Sequence, residues 1–234
     1  MRRFLPLTVL TLFTATGCVN ASDQSTPANA DVTASDTDTN TVNGSIRVTA
    51  GKQSGDVATV NGAIRVDNDA TVSAARTVNG DIQVGDHATV ESLHTVNGAI
   101  TVGTGTHVNE TVTSVNGSLT MRADALVAGA VSNVNGAIVL TSAHVAGGIT
   151  TVNGDINLKS NSHVEGGILV RRKPSSGWFN WESSVPRIVI GPGASVQGEL
   201  RFERKVQLYV SDRATIGPVS GATAIRFSGE DPPG

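Results

Sequence analysis

The tripeptide Val-Asn-Gly begins at Val42, Val60, Val78, Val96, Val115, Val134 and Val152, with successive copies 18 or 19 residues apart. This interval constrains the fold more than composition does, because each repeat must form the same short unit and no unit can bury an apolar face alone. Numbered from each Val as zero, the unit reads V-N-G-x-I-x-V-x-x-x-A-x-V-x-x-h-x-T, with h apolar. Residues two apart on an extended chain share a face. Position four holds Ile46, Ile64, Ile82, Ile100, Leu119, Ile138 and Ile156, and position six holds Val48, Val66, Val84, Val102, Met121, Leu140 and Leu158. A third column runs Val72, Val90, Val108, Val127, Val145, Val164, and a fourth Val57, Ala75, Leu93, Val112, Val131, Ile149. Arg47, Arg65, Gln83 and Thr101 fall between the inward positions and mark an outer face.

The expected fold is all-β: a single-stranded parallel β-helix, or solenoid, of about 18 residues per coil. Crossover chirality favours the right-handed form. Asn-Gly is expected to turn a corner, since both residues tolerate positive φ, with the preceding Val filling the core. The asparagines Asn43, Asn61, Asn79, Asn97, Asn116, Asn135 and Asn153 would then stack as a hydrogen-bonded ladder. The competing reading, a two-residue hairpin turn, conflicts with the constant interval. Aromatics are only 3% of the chain, which suits a narrow aliphatic interior, and a net charge of −3 gives no sign of wholesale nucleic-acid binding.

Residues 1–17 read as a signal peptide, with Arg2 and Arg3 ahead of an apolar run from Phe4 to Phe13 that is too short for an ordinary membrane span. Cys18 is the only cysteine, so neither an intramolecular disulfide nor a multi-thiolate metal site is available. Thr16-Gly17-Cys18 resembles the lipobox of bacterial lipoproteins, with Ala15 where Leu is usual. The resemblance implies lipidation at Cys18 and, with Val19 next, a place on the periplasmic or surface face of the outer membrane. A soluble secreted protein is the alternative. Residues 18–40 read as the lipidated Cys followed by a disordered tether, since Asp, Ser, Thr, Ala and Asn dominate and large apolar residues are almost absent.

The repeat occupies residues 41–170 and breaks at 171–186. Ile156, Leu158, Val164, Ile168 and Val170 reappear as Ile188, Ile190, Val196, Leu200 and Phe202, each 32 residues later. Further coils cover 187–227, and 228–234 is a tail. The interruption carries Arg171, Arg172, Lys173, Trp178, Phe179 and Trp181, and loops of this length inside regular coils are usually functional. These residues are the candidate binding site. Over 171–205, seven cationic residues stand against Glu182, Glu199 and Glu203.

Repeated Val-Asn-Gly-x-Ile-x-Val over residues 42–158 resembles an uncharacterised bacterial adhesin family of β-solenoids. The run from Ile188 to Leu200, Ile-Val-Ile-Gly-Pro-Gly-Ala-Ser-Val-Gln-Gly-Glu-Leu, is similar to a coil of the bactofilins, polymer-forming β-helical proteins of the bacterial envelope.

Candidate chemistry is sparse. His107, His144 and His163 each precede a third-column valine, and the last two belong to adjacent coils, close enough for two imidazoles to share a metal. No Cys, Asp or Glu completes that column, which leaves them weak metal candidates. Asp81 and Asp155 share a template position four coils apart, and Asp67, Asp69 and Asp86 lie near corners as turn formers. No acid, base and nucleophile assemble, so neither a catalytic residue nor a cofactor is expected. The expected function is a non-catalytic cell-envelope lipoprotein, a β-helical adhesin-like or scaffold protein presenting a binding surface. Its partners would be the membrane, through the lipid, and an envelope glycan or protein. The alternatives are a bactofilin-like polymer that self-associates and a β-helix polysaccharide lyase or hydrolase.

Overall fold

The computed structural model describes residues 29–32, 37–172 and 185–232. Among them there are only strands, turns and irregular segments, and the chain winds as a β-solenoid. Val, Ile and Thr at alternating positions favour extended backbone, and a corner every few residues keeps each strand short. Three walls result. The first is an eleven-stranded sheet running from Asn29–Val32 to Ala224–Phe227. The second begins at Gln53–Ser54 and the third at Thr39–Asn43. In the coils of Thr71–Asn79 and Thr89–Asn97, one bent strand serves both of these walls.

Every column read from the repeat is a line of registered neighbours. Ile64 pairs with Ile82, Ile82 with Ile100, Ile100 with Leu119, and so on to Ile156, Ile188 and Leu208. The 32-residue jump is equally in register: Val164 pairs with Val196 and Val170 with Phe202. These inward residues are almost wholly buried, each worth roughly 1.5–3 kcal/mol for a large aliphatic side chain relative to exposure.

The structure corrects three expectations. The valine of Val-Asn-Gly lies outside the core: Val42 is 64% exposed, Val60 and Val78 40%, and Val134 36%. The inward residue is the one before it, namely Thr59, Thr77, Thr95, Ser114, Asn133 and Thr151 in successive coils. Thr59, Thr77 and Thr95 donate their hydroxyls to the carbonyls of Gly44, Gly62 and Gly80 in the preceding coil. A polar side chain thus satisfies the corner's buried carbonyl, and the alternation pushes the valine out.

Positive φ is not what reserves most of these corners for glycine. None of the seven asparagines has it, and among the seven glycines of the motif only Gly44 and Gly136 do. Left-handed residues sit instead at the corner after the first wall, at Asp69, His87, Gly105 and Asp124. At the Val-Asn-Gly corner the constraint is close approach, since a Cβ on Gly80, Gly98 or Gly117 would lie 1.8–2.0 Å from the glycine carbonyl oxygen of the coil before. The third concerns the stretch 18–40 read as a disordered tether, within which the described residues include strand. Asn29–Val32 pairs in parallel with Ser45–Val48, and Thr39–Asn43 opens the third wall. The signal segment and Cys18 lie outside the described residues.

Candidate functional site

Because the third-wall strands from Thr39–Asn43 to Val131–Asn135 end in the corner, their last two residues both face outward, and stacking turns them into two adjacent stripes. One is the asparagine ladder, complete from Asn43 to Asn153: each Nδ2 donates to Oδ1 of the coil before at 2.8–2.9 Å. A primary amide has two N–H donors and two acceptor lone pairs, so every internal rung keeps one of each beyond the ladder. The other stripe is the valines. Val42, Val60, Val78 and Val96 line a groove of about 780 Å³ together with Ala58, Arg76 and His94. Burial, and secondarily the Arg76 guanidinium, push the His94 imidazole below its ordinary pKa, which favours its neutral form beside the apolar band.

The interrupting loop leaves the solenoid in line with these stripes. Val170 is registered with Thr151, and Arg171 N–H donates to the Thr151 carbonyl, so Arg171 follows where the coil below carries Val152. Arg171 and Arg172 are exposed. Lys173, Trp178, Phe179 and Trp181 lie outside the described residues. Several cations of the basic region serve the solenoid. Arg204 donates to the Val152 carbonyl and to Asn153 Oδ1, capping the asparagine ladder at the point where the repeat breaks. Arg172 donates from its Nε to the Glu203 carbonyl, Arg201 lies 3.5 Å from the Glu203 carboxylate, and the Arg187 guanidinium stacks 4.9 Å over the Tyr209 ring.

The carboxylates weighed for catalysis have structural partners. Asp81 accepts from Ala99 N–H and Asp155 from Arg187 N–H, each binding the equivalent backbone position one coil on. Asp67 is held between Arg47 and Arg65, Asp69 takes the left-handed corner position, and Asp86 accepts from Thr104 N–H.

At the histidine column the structure adds a residue that the column pattern omits. His144 and His163 are registered neighbours with ring centroids 5.0 Å apart. Glu165, two residues beyond His163, reaches back so that its Oε1 lies 2.8 Å from His144 Nε2. A search confined to one template column misses Glu165; the signal is the i, i+2 rule applied to His163 itself. His107 is registered with Thr89 and Leu126 and stays apart from the pair.

No protein-family model, curated protein or solved structure matches the chain.

Proposed function

We propose that this chain is a non-catalytic cell-envelope lipoprotein, an adhesin-like β-helix whose outer stripes bind an envelope glycan. The observation that carries the reading is the side-by-side course of outward valines, most exposed at Val42, Val60 and Val78, and asparagine amides, repeated coil after coil on one edge of the stack. A linear polysaccharide offers the complementary pair along its own length: pyranose C–H faces for the methyl groups, and hydroxyls for the spare amide donors and acceptors. Aligned apolar side chains of this extent mark an interaction surface more often than scattered ones do. The lipid-anchored, outer-membrane address is part of the same proposal and rests on the resemblance of Thr16-Gly17-Cys18 to a lipobox.

The test is co-sedimentation with isolated cell walls, with capsular and lipopolysaccharide glycans arrayed in parallel and the supernatant assayed for released sugar. Retention without release is expected, with retention lost in the Val60→Lys, Val78→Lys double variant. Soluble product would overturn the non-catalytic reading, and unaltered retention by the variant would remove the stripe from it. In the same cells, Cys18→Ser should move the protein out of the membrane fraction; a variant that stays there contradicts the lipid anchor.

A further inference from the structure

We infer that His144, His163 and Glu165 form a binding site for a divalent cation of the zinc class, on a face of the solenoid distinct from the valine stripe. The inference stands independently of the glycan reading.

Three observations carry it. First, ligand atoms of the three side chains all lie within 4.8 Å of one another. Donors around one tetrahedral zinc, at bonds of about 2.0–2.1 Å, sit about 3.3 Å apart, so small side-chain rotations close the set. Second, the backbone that carries the donors is rigid. His144–Val145 and His163–Val164 are paired second-wall strands, and the inward Val145 and Val164 are fully buried, which turns His144, His163 and Glu165 outward together. Ala146 stands beside His144 where Glu165 stands beside His163, and its small side chain leaves the Glu165 carboxylate room to lean onto the His144 ring.

Third, the hydrogen bonds set His163 in a tautomer suited to ligation. The Gln197 side-chain amide N–H donates to His163 Nε2 at 3.0 Å, which makes that nitrogen the lone-pair acceptor. Nδ1 then carries the proton and donates to Ser195 Oγ. A metal-bound imidazole has the same division of labour, one nitrogen on the ion and the other donating to an oxygen that orients the ring. Binding swings the Gln197 amide off Nε2, and the cation takes the place of the proton between His144 Nε2 and Glu165 Oε1. Two imidazoles and one carboxylate form a borderline donor set that prefers Zn²⁺ over Mg²⁺ or Ca²⁺, and the exposure of Glu165 leaves a fourth position to water.

The experiment is calorimetric titration of chelator-treated protein with Zn²⁺, and separately with Ca²⁺ and Mg²⁺, alongside Co²⁺ absorption spectra that report tetrahedral nitrogen–oxygen coordination. One Zn²⁺ per chain is expected, with no heat from Ca²⁺ or Mg²⁺ and a tetrahedral Co²⁺ spectrum. Glu165→Gln and His144→Gln should abolish both signals, and Ser195→Ala should weaken Zn²⁺ binding about tenfold by freeing the His163 ring. All three positions lie on the outer surface, and unchanged circular dichroism confirms that the fold persists. Absence of Zn²⁺ heat overturns the inference, as does Zn²⁺ binding that survives both the Glu165 and His144 substitutions.

Discussion

At the residue scale, the glycines of this chain separate two physical demands that sequence alone runs together. Gly117 is reserved by stacking: a Cβ there would meet the Gly98 carbonyl oxygen at 1.8 Å, backbone against backbone, where neither partner can rotate away. Gly51 is reserved by conformation, with φ of +67° and open space around the position a Cβ would take. Gly117→Ala should therefore cost about 3 kcal/mol, the upper range for overpacking, against about 1–2 kcal/mol for Gly51→Ala. Urea unfolding midpoints of the two variants decide the matter; equal shifts would show that close approach is not the dominant demand at the Val-Asn-Gly corner. The threonines before Val60, Val78 and Val96 carry a similar lesson. Each closes the template in plain view, yet its hydroxyl acquires a purpose only when the coil below presents a glycine carbonyl.

At the scale of the element, the asparagine ladder was legible from the sequence because identical residues at a constant interval must stack when the coils do. Its strength depends on continuity. Asn97→Ala removes two ladder hydrogen bonds, to Asn79 and from Asn116, whereas Asn43→Ala removes one. At roughly 0.5–1.5 kcal/mol per bond, the internal variant should lose about twice as much stability as the terminal one, read by hydrogen exchange of the flanking corner amides. Equal losses would mean that the number of ladder hydrogen bonds does not set the stability lost. The end of the ladder was not legible: Arg204 reaches Asn153 across the break in the repeat, and no spacing rule connects residues 51 apart in different corners. Glu165 escaped for a related reason, since its partner His144 belongs to another coil and a different template position.

At the scale of the molecule, the question for any solenoid is what keeps its ends from pairing with other chains, because each end exposes strand edges and apolar columns. In the first wall, Ile188 and Ile190 are followed by Leu208 and Val210, and these by Ala224 and Arg226. The last coil thus places an exposed arginine over a column of aliphatic side chains, where its Nη1 donates to the Ser211 carbonyl. A charge at the column position of the last described strand works against packing a further apolar coil onto that edge. Arg226→Val should extend the apolar column and raise the tendency to form concentration-dependent oligomers in sedimentation velocity. A variant that sediments like the parent at high concentration would remove Arg226 from that role.

The sequence by itself determined the solenoid, its coil length, its four apolar columns and the register across the 32-residue jump. Each follows from periodicity, and parallel stacking converts a period directly into contact. Only the tertiary structure decided which side of the wall each Val-Asn-Gly valine occupies, because the residue that alternation places inward before it is polar and carries no apolar signal of burial. The buried threonine set that phase by binding a carbonyl of another coil. The same holds for the two candidate surfaces: the valine stripe and the His144, His163 and Glu165 cluster are made by side chains that meet across coils, a relation that appears only when the chain has wound back on itself.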